Sequence, residues 1–172
     1  MLIAVSGGVD SVVLCELCHR AGFHFSIAHA HFGLRGKDSD ADADFVRSLS
    51  SKYQVPFFIR HFNTLEEMKS SGNGLQQTAR ELRYHWFLRL LEGENEEQIT
   101  MSHLLTAHHA DDQAETMLMH FLKGTGLSGL RGMLPGDSGI GARVVRPLLF
   151  ASKKDILAFA QQEKLEWRED VS

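Results

Sequence analysis

Cysteine is nearly absent from this chain of 172 residues: there are two, Cys15 and Cys18, with no second pair to complete a metal or redox site. Three apart on one helical stretch, they read as small side chains packed on a sheet. Long apolar runs are missing as well. No stretch approaches the roughly 20 residues needed to span a bilayer, and Met1 leads straight into a strand-like run with no basic-then-apolar leader. A soluble, cytoplasmic protein with no membrane association is expected. Positive charge is not in excess: 18 Lys and Arg against 22 Asp and Glu give a net charge of −4 and a pI near 6.2. This argues against strong nucleic-acid binding by the segment alone, because phosphate-backbone affinity rests on cations. An RNA substrate would require a local basic strip or a further domain. Repeats and low-complexity segments are absent. What is present is 43% hydrophobic residues, enough for one well-filled core and no second complete domain.

Apolar, β-prone segments recur at Leu2 to Val5, Phe23 to Ala28, Val55 to Arg60, Leu104 to Ala107 and Val144 to Leu149. Helical patterns separate them. This alternation predicts an α/β domain with an open, mostly parallel five-stranded sheet and helices on both faces. The predicted helices run from Ser11 to Arg20, from about Ser39 with Phe45, Val46 and Leu49 inward, from Thr64 to Lys69, from Leu75 to Leu91, from Asp111 to Lys123, and from Ser152 to Lys164 with Ser152 as cap. Asp40, Asp42 and Asp44 suit the start of a helix, where negative charge is favoured, and are expected to be solvated. Arg80 and Arg83, three apart, project from one side. Glycines from Gly124 to Gly136 suggest a flexible, substrate-facing loop. Both chain ends read as cut, so residues 1–172 are expected to be one domain of a longer protein.

Chemistry concentrates first in Ser6-Gly7-Gly8-Val9-Asp10-Ser11, between the first strand and the first helix. A strand that breaks at two glycines and re-enters as a helix presents backbone N–H groups and the positive end of the helix dipole, a cradle for phosphate. Gly7 and Gly8 allow close approach, and the Ser6 and Ser11 hydroxyls can donate further hydrogen bonds. Asp10 would repel a polyphosphate unless a cation lay between, which points to Mg²⁺ or to a proton-handling role. The loop lacks the Lys of G-x-x-x-x-G-K-[ST] and the third glycine of G-x-G-x-x-G, so it is neither a kinase-type P-loop nor a Rossmann turn. It resembles instead the S-G-G-x-D-S loop of the ATP pyrophosphatases.

A second constellation, His108-His109-Ala110-Asp111-Asp112-Gln113-Ala114-Glu115-Thr116, stands at the carboxyl end of the fourth predicted strand. A third, His29-Ala30-His31-Phe32-Gly33-Leu34-Arg35, follows the second strand. Ligands of open α/β sheets bind outside the carboxyl ends of the strands, so all three should face one crevice. Asp112 and Glu115 can converge on an ammonium ion or a metal. Gly33 would admit a nucleotide, and Arg35 could contact phosphate. The same histidines and carboxylates, His29, His31, His108, His109, Asp111 and Asp112, are also compatible with a metal-dependent phosphohydrolase.

These segments, with Ala79-Arg80-Glu81-Leu82-Arg83-Tyr84, Gly124 to Met133, Arg146-Pro147-Leu148-Leu149 and Trp167-Arg168-Glu169-Asp170, occur in an order similar to that of the tRNA(Ile)-lysidine synthases, over essentially the whole chain. Phe32 stands where that family often has a second His, and Lys123 where it often has Arg. The resemblance implies the adenine nucleotide alpha-hydrolase-like fold and an N-type ATP pyrophosphatase domain without the family's C-terminal tRNA-binding domains. It implies ATP as co-substrate with Mg²⁺, L-lysine as second substrate, and isoleucine tRNA with a CAU anticodon as acceptor. Adenylation of O2 of the wobble cytidine would release pyrophosphate; attack by the lysine amine on C2 would expel AMP. On this reading Ser6, Gly7, Gly8, Val9, Asp10, Ser11, His29, Ala30, Gly33 and Arg35 bind nucleotide, with Asp10 also at the metal. Asp112 and Glu115 bind lysine; Asp10, Asp112, His108 and Arg80 are catalytic; Arg83, Lys123, Gly126 and Arg131 face tRNA. A homodimer is compatible with the sequence, though no motif specifies it. Competing readings are a tRNA sulfurtransferase, which would need cysteines at the active-site rim, and a non-catalytic adenine-nucleotide sensor, which could dispense with Asp112 and Glu115.

Overall fold

The computed structural model describes residues 1–95, 99–124, 132–133, 136–137 and 143–169. Among these residues twelve elements follow one another as β1 (Leu2–Ala4), α1 (Val9–Arg20), β2 (Ser26–His31), α2 (Lys37–Tyr53), β3 (Phe57–His61), α3 (Thr64–Ser71), α4 (Leu75–Leu91), β4 (Leu104–Leu105), α5 (Ala110–Leu122), β5 (Gly136–Asp137), β6 (Val144–Val145) and α6 (Lys153–Gln162). The strands form one sheet in the order β3-β2-β1-β4-β6-β5. All pairings are parallel except β5 against β6. The five predicted strands are therefore joined by a short antiparallel edge strand, Gly136–Asp137, inside the stretch read as a glycine-rich loop.

Alternation along the strands divides the core in two. Ile3, Ile27 and Leu105 point to one face, where Val12, Val13 and Cys15 of α1, Val46 and Leu49 of α2 and Ile156 of α6 cover them. Leu2, Ala28, Leu104 and Val144 point to the other, against Tyr84, Phe87, Leu90 and Leu91 of α4. This is the helix-on-both-faces arrangement that the strand periodicity implies. Cys15 and Cys18 are buried on the sheet side of α1, as small core side chains. Helix α6 begins on Ser152, whose Oγ accepts the Asp155 N–H at 3.2 Å while the Asp155 carboxylate accepts the Ser152 N–H at 3.1 Å, a reciprocal cap.

Two sequence expectations are corrected. The second strand lies at Ser26–His31, not Phe23 to Ala28. Phe23 is 57% exposed, and its N–H closes the end of α1 on the Cys18 carbonyl. The strand is carried on to His31 because β3 pairs with it as far as His31↔His61. Asp42, expected to be solvated, is buried at 7% exposure and accepts hydrogen bonds from two arginines. Its neighbour Asp40 fits the expectation better, being largely exposed while it holds His31 Nε2 at 3.0 Å.

Candidate active site

β1 is flanked by β2 on one side and β4 on the other, so the chain reverses direction across the sheet at β1. Such a switch point opens a crevice beyond the strand ends. Here it is a cavity of about 430 Å³, walled by Ser6, Asp10 and Ser11 after β1, His29 to His31 at the carboxyl end of β2 and Arg35 beyond it, Thr106 to His108 after β4, and Asp112 on α5. Arg83, Tyr84 and Phe87 of α4 close it from the opposite face. The three constellations, separated by up to a hundred residues, thus share one space of the size small-molecule sites have.

The loop after β1 turns on Gly7, whose φ of +104° is closed to side-chain-bearing residues. Its serines serve the loop itself. Ser11 Oγ accepts the Gly7 N–H at 3.3 Å and donates to the Gly8 carbonyl at 2.9 Å, and Ser6 Oγ accepts the Gly8 N–H at 3.2 Å. Asp10 is paired within the protein: Lys153 Nζ donates to both of its carboxylate oxygens, at 2.6 and 2.8 Å. Lys153 is the first residue of α6, and its backbone N–H donates to Asp111 Oδ2 at 2.6 Å. This lysine was missed from the sequence, although a signal was there. A positive charge in the first turn of a helix opposes the dipole, and its placement beside the reciprocal cap of Ser152 and Asp155 implies a compensating anion.

At the β4 end, Asp112 Oδ2 accepts the His109 N–H at 2.9 Å, capping α5. The buried His109 ring has carboxylate oxygens of Asp112, Asp111 and Asp10 within 3.5, 3.6 and 3.8 Å. His108 Nδ1 lies 2.9 Å from Thr106 Oγ1. Burial first, and then the Arg146 guanidinium, push the His108 pKa down to about 4, so the ring is neutral at physiological pH. His29, whose Nδ1–H donates to the Val5 carbonyl at 2.8 Å, is likewise shifted down by burial.

The remaining predicted residues divide. Arg83 lines the cavity, and its guanidinium lies 5.6 Å over the Tyr84 ring, with that of Arg80 at 5.0 Å. The two arginines do project together, yet Arg80 is exposed and outside the cavity wall. Glu115 is exposed on α5 and also outside that wall. Gly33 borders an adjoining hollow with Phe32, Phe62 and Leu65. Lys123 caps the exposed end of α5. Gly126, Arg131 and Asp170 fall outside the described residues. The histidines and carboxylates do not converge as a preformed metal centre: among the described residues, no three His, Cys, Asp or Glu side chains are grouped to hold an ion. A Mg²⁺ would fit here in another way, since that ion is commonly held by one or two carboxylates together with substrate phosphates. Asp10 is such a carboxylate on the cavity wall, and the ion would share it with Lys153.

A family model described as the PP-loop domain matches residues 1–172. A tRNA(Ile)-lysidine synthase of Bacteroides thetaiotaomicron is 40% identical over 162 residues, covering 94% of this chain and 36% of the relative. One from Chlorobaculum tepidum is 36% identical, covering 99% of this chain and 50% of its own. The chain therefore spans about a third to a half of these relatives' length. Among solved structures, the U34-tRNA thiolase NcsA of Methanococcus maripaludis superposes with a TM-score of 0.77 at 19% identity, over 99% of this chain and 59% of that one. An NH3-dependent NAD synthetase from Campylobacter jejuni superposes with a TM-score of 0.60 at 17% identity, over 96% of this chain and 64% of that one. At such identities these two establish the fold alone.

Proposed function

From the premise that this chain belongs to the PP-loop domain family, we propose that it is the ATP-using domain of a cytoplasmic tRNA(Ile)-lysidine synthase. It would ligate L-lysine to C2 of the wobble cytidine of the CAU-anticodon isoleucine tRNA. The observation that carries the reading is the meeting of the Ser6–Ser11 loop, His108 and Asp112 in one cavity, together with relatives of that name at up to 40% identity.

In the first step O2 of cytosine attacks the α-phosphorus of ATP. The O2–P bond forms, the bridge to the β-phosphate breaks, and pyrophosphate leaves. The loop from Ser6 to Ser11, with Gly7, Gly8 and Val9 between, would hold the departing phosphates at the start of α1, where backbone N–H groups and the dipole favour negative charge. Lys153 stands beside them on Asp10. Asp10 would also hold Mg²⁺ arriving with the nucleotide, and that ion would neutralise phosphate charge. His29, Ala30, Gly33 and Arg35 would border the nucleotide along the β2 end.

In the second step the lysine amine attacks C2, and AMP leaves with the former O2. An ammonium ion has no lone pair, so its proton must first be lost. Asp112 on the cavity wall would bind the ammonium and, as general base, accept the proton the amine loses as it attacks, with Glu115 one turn further along α5 adding negative charge at the rim where the lysine enters. Neutral His108 can hydrogen-bond the base without competing for the positive charge, and Arg80 and Arg83 on Tyr84 would steady negative charge as it develops. Arg83, Lys123, Gly126 and Arg131 would face the anticodon, whose target base must be unstacked to enter.

The test is incubation of the protein with ATP, labelled L-lysine and CAU-anticodon tRNA. Label should appear in the RNA with release of AMP and pyrophosphate. Asp112→Asn should abolish label transfer while ATP binding stays within about threefold of wild type; retained transfer refutes the assignment of Asp112.

A further inference from the structure

Thr106 and His108 both line the cavity, just beyond the end of β4. Thr106 is buried at 6% exposure, and its Oγ1 lies 2.9 Å from His108 Nδ1. The hydroxyl is firmly placed. The Thr106 N–H donates to the Val145 carbonyl at 3.0 Å, which fixes the backbone against β6, and a β-branched side chain has little freedom at χ1.

A neutral imidazole carries one N–H and one lone pair, and the partner of one nitrogen decides where the proton stands. Were Nδ1–H to donate to Thr106, the hydroxyl hydrogen would need another acceptor. Among the described residues it has none, because the contact with Nδ1 is the sole hydrogen bond of that oxygen. A buried donor without an acceptor is costly. The reverse arrangement satisfies both groups: the hydroxyl donates to Nδ1, and the ring proton stands on Nε2. Among the described residues Nε2 has no hydrogen-bond partner, and it is not sealed from solvent. On a ring of the cavity wall, Nε2 is therefore the atom that a ligand meets. Arg83 on the same wall favours an anionic acceptor there.

We propose that Thr106 is a positioning residue, whose hydroxyl holds His108 in the Nε2–H form so that the imidazole donates to a phosphate oxygen of the bound adenylate. This deepens the reading of the cavity as an ATP site and rests on it. In that form the imidazole cannot take the lysine proton, since Nε2 is already protonated and Nδ1 is occupied. The proton released by the attacking amine goes to Asp112. His108 acts on the other product: as the bond from C2 to oxygen breaks, negative charge returns to AMP, and a donor already in place stabilises it.

The 172-residue chain labelled with ¹⁵N in its histidines reports the tautomer directly, because the protonated and bare nitrogens of a neutral ring resonate far apart. His108→Gln identifies the signals of His108, and at neutral pH its protonated nitrogen should be Nε2. Thr106→Val keeps the shape and removes the hydroxyl. It should shift the Nδ1 resonance and weaken AMP binding, read by calorimetry, by about fivefold or more, the worth of one hydrogen bond. Binding of adenosine, which has no phosphate, should change less than about twofold. Thr106→Ser restores the hydroxyl and should recover both the resonance and the AMP affinity. A neutral His108 protonated on Nδ1 overturns the inference and leaves the ATP-site reading intact. Wild-type AMP affinity in Thr106→Val overturns it as well, and so do equal losses for AMP and adenosine, the signature of a structural role. Wild-type protein that binds neither ligand would refute the ATP-site reading itself, and with it the phosphate as the acceptor.

Discussion

Replacing Lys153 by Met removes the ammonium that holds Asp10 at 2.6 and 2.8 Å while keeping most of the aliphatic stem. Two consequences can be sized separately. Lys153 and Asp10 are 40% and 28% exposed, so solvent screens the pair and its loss should cost folding no more than about 1 kcal/mol. The variant should fold. Nucleotide binding is more exposed to the change. A phosphate on the loop loses a charge-assisted partner worth about 1.5–3 kcal/mol, and faces an Asp10 carboxylate left without its cation, adding on the order of 1 kcal/mol of repulsion. The sum, about 3 kcal/mol, corresponds to roughly a hundredfold weaker ATP binding. Titration calorimetry at fixed Mg²⁺ measures it. Without Mg²⁺, the double variant Asp10→Asn with Lys153→Met removes the repulsion as well, and should bind ATP more tightly than Lys153→Met alone, a coupling that a double-mutant cycle isolates. If Lys153→Met binds ATP within threefold of wild type, the cation beside Asp10 does not serve the phosphates, and the reasoning from charge compensation is wrong.

Further outcomes follow from the same geometry. His108 has a folded pKa of about 4 against about 6.5 when unfolded. The unfolded chain therefore binds the proton first, and stability that is complete above about pH 6.5 should fall by on the order of 3 kcal/mol as the pH approaches 4. Melting curves across that range should show the loss, and His108→Gln should flatten it; an unchanged slope would count against burial of the neutral ring. Burial raises the Cys18 thiol to about 11 and the Cys15 thiol further still, so neither should be alkylated by iodoacetamide in the native protein at pH 8. Rapid labelling would reopen the sulfurtransferase reading. Phe87→Ala empties a site 2% exposed beneath the cavity floor and should lower stability by about 3–5 kcal/mol, read from denaturant midpoints.

Much of the fold was legible because its signals are local. Period-2 and continuous apolar runs place five strands, and helix α4 begins and ends at its predicted residues because Leu75–Leu91 carries an unbroken helical pattern after the Gly74 break. The strand shift from Phe23 to Ser26 was not legible. Phe23 has the composition of a strand residue, and its exclusion depends on register against β1 and β3, a non-local pairing. Asp42 was misread for a related reason. An acidic residue near a helix start is ordinarily solvated, and nothing within α2 indicates that Arg35 and Arg168 converge on it.

The six residues from Ser6 to Ser11 determined by themselves that the chain carries a phosphate-type loop. A strand, two glycines, hydroxyls and a helix start are contiguous, and backbone N–H groups at a helix terminus need no distant partner to attract an anion. The tertiary structure decided which charges surround that loop. Lys153 on Asp10 and Arg168 on Asp42 lie 143 and 126 residues from their partners, and only the packing of α6 and the chain beyond it against the sheet brings them there. Side-chain electrostatics act over a few ångströms, so a charge's role follows from its neighbours in space, which sequence order does not contain.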